Sequence, residues 1–333
     1  MGPLTRTKAP TVHDVAKAAG FSAQTVSRVI AGYEGIRPAT RLKVEQAIAE
    51  LGYRPNHAAR QLRTSKSTRI GAVVHEMFAY GPSQLLRGAA QRAREAGYSL
   101  NIVGVDGADA GSVQDAFETF ELERVAGILA ITLTEEVRTV VERRPVDVPL
   151  LMDPAEAHTT GPSAGEIGST LAAEHLVGLG HRRLAMVLGP SSWLPARQRQ
   201  EGFERAVASA GASCVRAWQG DWSAASGYAA AQQWEPGDAV TGVFAANDAM
   251  AIGFVNGLAR RGIAVPEDVS VIGFDATPEA EYLSPALTSV SVDYAGQGRA
   301  AVDALLAQVD ADVVPGAPPS SPAVVLRGTT ATR

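Results

Sequence analysis

The chain has 333 residues, 46% of them hydrophobic and 20% charged, a balance that excludes wholesale disorder and collagen-like repeats and leaves room for two or three domains. A single cysteine, Cys214, excludes an internal disulfide framework and a cysteine-built metal cluster, and no apolar run approaches the roughly 18 residues of a membrane helix. The net charge of −5 hides a division: residues 1–69 carry twelve basic and four acidic side chains, a net +8, which leaves −13 on the remainder.

A basic segment of domain size on an acidic body points to a head that binds a polyanion. Met1-Gly2-Pro3-Leu4-Thr5-Arg6 lacks the apolar stretch of a secretory signal, so a cytoplasmic protein without membrane contact is expected. Thr11-Val12-His13-Asp14 has capping-box spacing, and Val12, Val15, Ala16 and Ala19 follow at helical intervals before Gly20 stops the helix. Ser22 caps a second helix from Ala23 to Ile30, whose buried face is Val26, Val29 and Ile30. A third runs from Pro38 through Leu42, Ile48 and Leu51 to Gly52. Two helices across a tight glycine turn, buttressed by a third, form a helix-turn-helix unit.

Side chains at the start of such a second helix reach base edges in the major groove; arginine pairs with guanine and glutamine with adenine. Gln24 and Arg28 are therefore assigned to base readout, with Ala23 offering only a methyl contact. Thr11, Ser22, Thr25, Ser27 and Thr40 suit phosphate oxygens.

Residues 53–63 read Tyr-Arg-Pro-Asn-His-Ala-Ala-Arg-Gln-Leu-Arg. Pro55 ends the preceding element, Asn56 caps a short helix, Ala58 and Ala59 keep one face thin, and Leu62 stands among Arg60, Gln61 and Arg63. A leucine presented amid cations fits a wedge into the minor groove, kinking the duplex. Thr64–Thr68 make a polar link. The expected domains are a head over 1–55, a hinge helix and linker over 56–69, and a core over 70–333.

The core alternates apolar runs (Ile70–Val74, Leu100–Val103, Gly127–Ile131, Pro149–Met152, Leu184–Leu188, Gly242–Ala246, Val269–Phe274) with helical patterns at 84–96, 169–178, 197–210 and 248–261. This predicts an α/β fold of parallel sheets in two lobes, with a binding cleft at the carboxyl ends of the strands. Enzymatic signals are weak. Gly161-Pro162-Ser163-Ala164-Gly165 satisfies G-x-S-x-G but reads as a loop rather than a strand-to-helix elbow. No phosphate-cradling glycine loop and no helical histidine pair occurs. No enzyme, cofactor or metal is expected.

Thr11-Val-x-Asp-Val-Ala-x-x-Ala-Gly-x-Ser-x-x-Thr-Val-Ser-Arg28, then Tyr53-x-Pro-Asn56 and Leu62, resemble the lactose-repressor (LacI/GalR) family. The match continues through Ile70-Gly71, Leu179-Gly180-His181, Gly220-Asp-Trp222-Ser-Ala-x-Ser-Gly227, Ala246-Asn247-Asp248, Asp268-Val-Ser-Val-Ile-Gly273-Phe-Asp275 and Leu287-Thr288. The resemblance implies a homodimeric repressor with a helix-turn-helix head, a hinge helix and a periplasmic-binding-protein-like core. It implies that the head and hinge, Tyr53, Asn56, Ala59, Arg60, Leu62 and Arg63 included, grip a palindromic operator until an effector enters the cleft. Carried over by motif, Arg199, Asn247, Asp275 and Asp153 become hydrogen-bonding effector ligands, Trp222 and Tyr294 stacking faces, and His75 part of the cleft wall.

A sugar is the expected effector, a β-galactoside given Trp222. Ala23, His75, Ile131 and Val292 depart from the family's pattern, and no leucine heptad ends the chain, so a dimer without a tetramer-forming helix is expected. The alternatives are a corepressor-type regulator sensing another metabolite, a plain sugar-binding protein, and a hydrolase built on Ser163.

Overall fold

In a computed structural model the chain forms two compact units, Met1–Lys66 and Ser67–Arg333. The structure describes residues 10–30, 33, 35–53, 67–106, 108–131, 134–143, 146–152, 161–235, 237, 239–309 and 313–333.

The first unit holds α1 (Val12–Ala19), α2 (Ala23–Ile30) and α3 (Pro38–Leu51). Thr11 and Asp14 close a reciprocal capping box on α1, and Gly20 ends it in the left-handed region, φ 75°, where a side chain would be strained. Val15, Ala16, Val26, Val29, Val44 and Ala47 make the core, with Tyr53 packed against it. The buried face of α3 is Val44 and Ala47, while Leu42 is 67% exposed. Asn56, Ala59, Arg60, Leu62 and Arg63 of the expected hinge lie outside the described residues.

The second unit has two lobes. Lobe 1 is built from β1 (Arg69–Val74), α4 (Tyr80–Glu95), β2 (Ser99–Gly104), α5 (Ala110–Glu123), β3 (Gly127–Ile131), α6 (Glu135–Glu142) and β4 (Leu150–Met152). Its strands run parallel in the order β2-β1-β3-β4, with Ile70 beside Gly127 and Val74 beside Ile131.

Lobe 2 takes α7 (Ala164–Gly178), β5 (Arg183–Leu188), α8 (Leu194–Ser209), β6 (Ser213–Gln219), α9 (Ala224–Gln232), β7 (Gly242–Ala245), α10 (Asp248–Arg260), β8 (Ser270–Asp275), a 3-10 turn (Pro278–Tyr282) and β9 (Thr288–Ser291). The chain then returns to lobe 1 as α11 (Tyr294–Leu306), whose Ala301, Val302, Leu305 and Leu306 share a core with Leu85 and Ala89 of α4. It crosses once more to add β10 (Ala323–Val325) to lobe 2, giving the order β10-β9-β8-β7-β5-β6. β10 is antiparallel to β9, so lobe 2 is not wholly parallel as expected; an edge strand arriving from the other lobe can enter in either direction.

Gly161–Gly165 is neither a nucleophile elbow nor a plain loop. Ser163 is the N-cap of α7: its Oγ accepts from the Glu166 amide (3.2 Å) while a Glu166 carboxylate oxygen accepts from the Ser163 amide (3.0 Å). The serine is spent on starting a helix.

Candidate functional site: the cleft of the core and the exposed face of the head

Parallel strands present loop residues at their carboxyl ends, and both lobes do so around one cavity of about 330 Å³. His75 follows β1, Ile131 ends β3, Pro190 follows β5, Trp222 follows β6, Asn247 follows β7, Asp275 ends β8 and Val292 follows β9; all of them line it. Tyr80 of α4, Trp193 and Arg199 at the start of α8, and Tyr294 and Gln297 in the first turn of α11 complete much of the wall.

Arg199 is 8% exposed and sits at the centre. Its Nη1 donates to the Ala246 carbonyl, its Nη2 donates to the Tyr294 hydroxyl (3.0 Å) and lies 3.5 Å from the Asp275 carboxylate. Its guanidinium carbon stands 3.9 Å from the Phe274 ring centre and 5.3 Å from that of Trp222. The Tyr294 hydroxyl donates in turn to Asp275 (2.5 Å). Burial pushes the Tyr294 phenol well above its ordinary value, so it stays a donor, and burial raises the Asp275 carboxyl against the opposing pull of Arg199. Arg199 and Asp275 belong to lobe 2 and Tyr294 to the helix that returns to lobe 1, so this triad ties the lobes together.

Trp193 makes a second tie. Its ring stacks on His75, centroids 4.1 Å apart and planes 11° from parallel, and its backbone forms an antiparallel bridge with Thr134 of lobe 1. The His75 Nδ1 is 3.3 Å from the Val105 carbonyl. Asn247 caps α10: its Oδ1 accepts from the Met250 amide (2.8 Å) and its Nδ2 donates to the Trp222 carbonyl (3.0 Å). It thereby fixes the loop that carries the Trp222 ring.

Three lining residues with side chains, Glu76 (φ 49°), Trp222 (φ 72°) and Asp275 (φ 107°), occupy the left-handed backbone region. Each costs about 1–3 kcal/mol and persists where the surroundings over-determine it, as at binding sites. Among the effector residues expected from sequence, the fold brings His75, Arg199, Trp222, Asn247, Asp275 and Tyr294 together; Asp153 lies outside the described residues. Sequence reasoning missed Tyr80, Trp193 and Gln297. Gln297 is three residues past Tyr294, on the same helix face, and Trp193 immediately precedes the Leu194-Pro195 start of α8 at a strand's carboxyl end.

Behind the cavity lies a fully buried carboxyl. Asp248 accepts from the Ser289 hydroxyl (2.5 Å) and the Thr277 amide (2.7 Å); burial, and next the charge of Asp275, push it up to about 7 from 3.8. A carboxyl held higher in the folded than in the unfolded chain leaves the fold holding the extra proton between those values. Its stabilisation is therefore complete at the acid end and is lost as pH rises through about 7. Asp248→Asn is expected to flatten the fall in stability between pH about 4 and about 7; equal pH slopes for variant and wild type over that interval in denaturant titrations would contradict this.

On the head, Gln24 and Arg28 lie on the exposed face of α2, with Ala23, Thr25 and Ser27 partly buried. The Ser22 hydroxyl is exposed and accepts from the Thr25 amide (3.1 Å). Thr11 Oγ1 donates to Asp14 (2.7 Å), so the cap occupies its proton, and Thr40 sits in the first turn of α3. Arg28 stands 5.5 Å over the Tyr33 ring.

A helix-turn-helix unit in one chain with a two-lobed, cleft-bearing α/β core defines a ligand-sensing DNA-binding regulator. Residues 11–56 match the family described as bacterial regulatory proteins, lacI family, and residues 173–330 match the periplasmic binding protein-like domain. Over 314 residues the chain is 34% identical to the lactose operon repressor of Escherichia coli (strain K12), covering 93% of this chain and 87% of that protein. It is 33% identical over 311 residues to the ribose operon repressor of the same strain, covering 90% and 93%. The solved lac repressor dimer bound to operator and the anti-inducer ONPF matches with a TM-score of 0.85 at 32% identity, over 97% of this chain and 100% of that one. The chain belongs to the lacI family of bacterial regulatory proteins: it is a DNA-binding repressor with an effector-binding core, and its relatives are repressors rather than enzymes.

Proposed function

We propose that this repressor is a cytoplasmic homodimer that holds a palindromic operator and is released when a sugar, a β-galactoside in the most specific form of the reading, enters the cleft. The observation that carries it is the Arg199–Asp275–Tyr294 triad on an aromatic-walled cavity. A guanidinium and a carboxylate donate to and accept from neighbouring hydroxyls, while Trp222 offers a flat face to a sugar ring. The cavity spans both lobes, so a ligand that fits one lobe arrangement better shifts the balance between arrangements by its differential affinity and no more. The relatives' names, lactose and ribose operon repressors, support a sugar. Among the described residues no helix is long and apolar enough to cross a membrane.

In this reading Gln24 and Arg28 read bases, and Ala23 adds a methyl contact. Thr11, Ser22, Thr25, Ser27 and Thr40 approach phosphates, and Tyr53, Asn56, Ala59, Arg60, Leu62 and Arg63 form the hinge contact. Asp153 joins the effector ligands. Thermal-shift measurements against a carbohydrate panel, followed by operator-shift assays with each sugar that stabilises the protein, test the proposal: release marks an inducer, tightening a corepressor. Gln24→Ala is expected to change preference among operator variants by about 1–3 kcal/mol at one base position. A uniform loss on every duplex would contradict base readout.

A further inference from the structure

We infer that Tyr33 is a positioning residue for base readout: its ring steadies the Arg28 guanidinium, so the preference at one operator base pair depends on an aromatic side chain as well as on the arginine that reads it. This rests on the reading of Arg28 as a base reader and deepens it. Arg28 lies on the exposed face of α2, one helical turn beyond Gln24, and its guanidinium carbon stands 5.5 Å from the centre of the Tyr33 ring. That is within the roughly 6 Å over which an aromatic face attracts a cation. Tyr33 is 56% exposed and takes no part in the hydrophobic core of the head, so burial does not account for its place.

Polar and steric contacts hold it instead. The Tyr33 amide donates to the Arg28 carbonyl at the end of α2 (3.0 Å), and Arg41 Nη2, early in α3, donates to the Tyr33 carbonyl (2.9 Å). A Cβ on Gly35 would come within 2.6 Å of the Tyr33 ring, so the glycine clears the space that the ring occupies. The ring is thus anchored to two helices. An arginine on a helix surface samples many rotamers, and ordering it against a base costs part of that freedom. A cation–π contact uses the charge of the guanidinium and consumes no N–H donor. It restricts the fork beforehand without competing for the O6 and N7 of a guanine.

Selection from a random pool of duplexes by the full-length repressor defines its preferred site. Affinities for that site, its single-base-pair variants and random DNA are then compared among the wild type, Arg28→Ala, Tyr33→Ala, Tyr33→Phe, Gly35→Ala and the combined Arg28→Ala and Tyr33→Ala variant. Tyr33→Ala is expected to lose about two- to fivefold of the preference at the base pair where Arg28→Ala loses it, with binding to random DNA unchanged. Tyr33→Phe is expected to keep the wild-type preference, and Gly35→Ala, whose Cβ displaces the ring, to share the loss. Tyr33→Ala adds nothing once Arg28 is alanine. An equal loss on every duplex, from Tyr33→Ala or from Tyr33→Phe, marks a phosphate contact or a structural role and overturns the inference, and so does an unchanged preference in Tyr33→Ala; base readout by Arg28 survives both results. An unchanged preference in Arg28→Ala, or a pool that yields no preferred duplex, overturns the inference and the reading of Arg28 together.

Discussion

If the cleft is the effector site as proposed, Arg199→Ala is expected to give a repressor that still binds operator DNA but no longer changes its affinity for it when effector is added. The guanidinium makes three kinds of contact that alanine cannot replace: the ion pair with Asp275, the hydrogen bond to the lobe-crossing Tyr294, and the contact with the Phe274 face. Asp275, buried beside Arg199, would lose its cation, a loss of about 3–5 kcal/mol for one partner of a buried pair. Part of that loss appears as lower stability of the core. The part expressed on ligand weakens effector binding by more than about a hundredfold, since each 1.4 kcal/mol is a factor of about ten. Operator-shift titrations at rising effector check the outcome; a half-effective concentration equal to the wild type's would refute it. Arg199→Lys keeps the charge but not the fork, and is expected to fall in between.

The second large effect is on packing. α4 and α11 meet at paired glycines: a Cβ on Gly88 would overlap the Ala295 carbonyl, and one on Gly298 would overlap the Leu85 carbonyl. Both obstacles are backbone, so neither can rotate away. Gly298→Ala must push the helices apart across the core formed by Leu85, Leu86, Ala89, Ala301 and Leu305, and is expected to cost about 3 kcal/mol or more. Gly178→Ala, in the last turn of α7 with open space around it, is the control and is expected to be neutral or slightly stabilising. Denaturant unfolding of the two variants side by side decides between close packing and a general intolerance of helical alanine.

Most of this architecture was readable because its signals are local. β1, β3, β5, β7 and β8 are short, mainly apolar runs buried on both faces, and such runs announce central parallel strands. Strands β6 and β9 were missed for opposite reasons. Ser213–Gln219 is an edge strand that mixes polar residues into its run, and Thr288–Ser291 is too short to show a period, with a threonine and a serine (Thr288 and Ser289) buried by pairing rather than by hydrophobicity. The third helix of the head was legible from Pro38 and Gly52 at its ends, but the side it buries, Val44 and Ala47, was not, because that is set by packing against the other helices of the head.

Apart from Asp153, outside the described residues, the motif-bearing positions share the cleft wall because strand ends converge. Trp193 and Gln297 owe their roles to which lobe their helices face, and that depends on crossovers far apart in the chain. Nor does any sequence pattern reveal that Asn247 has its amide committed to Met250 and Trp222.

The weaving of the core has a consequence for inheritance. Lobe 1 owns a helix that the chain supplies only after finishing most of lobe 2, and lobe 2 owns an edge strand supplied after that helix. Recombination at the Lys66/Ser67 boundary can pass the reader on as a cassette, so a lineage can acquire new binding sites on DNA by swapping. No single cut divides the sensor into halves that each keep a whole sheet and its covering helices. Substitution along the cleft, by contrast, can change the taste for a ligand while leaving both sheets and their covering helices whole.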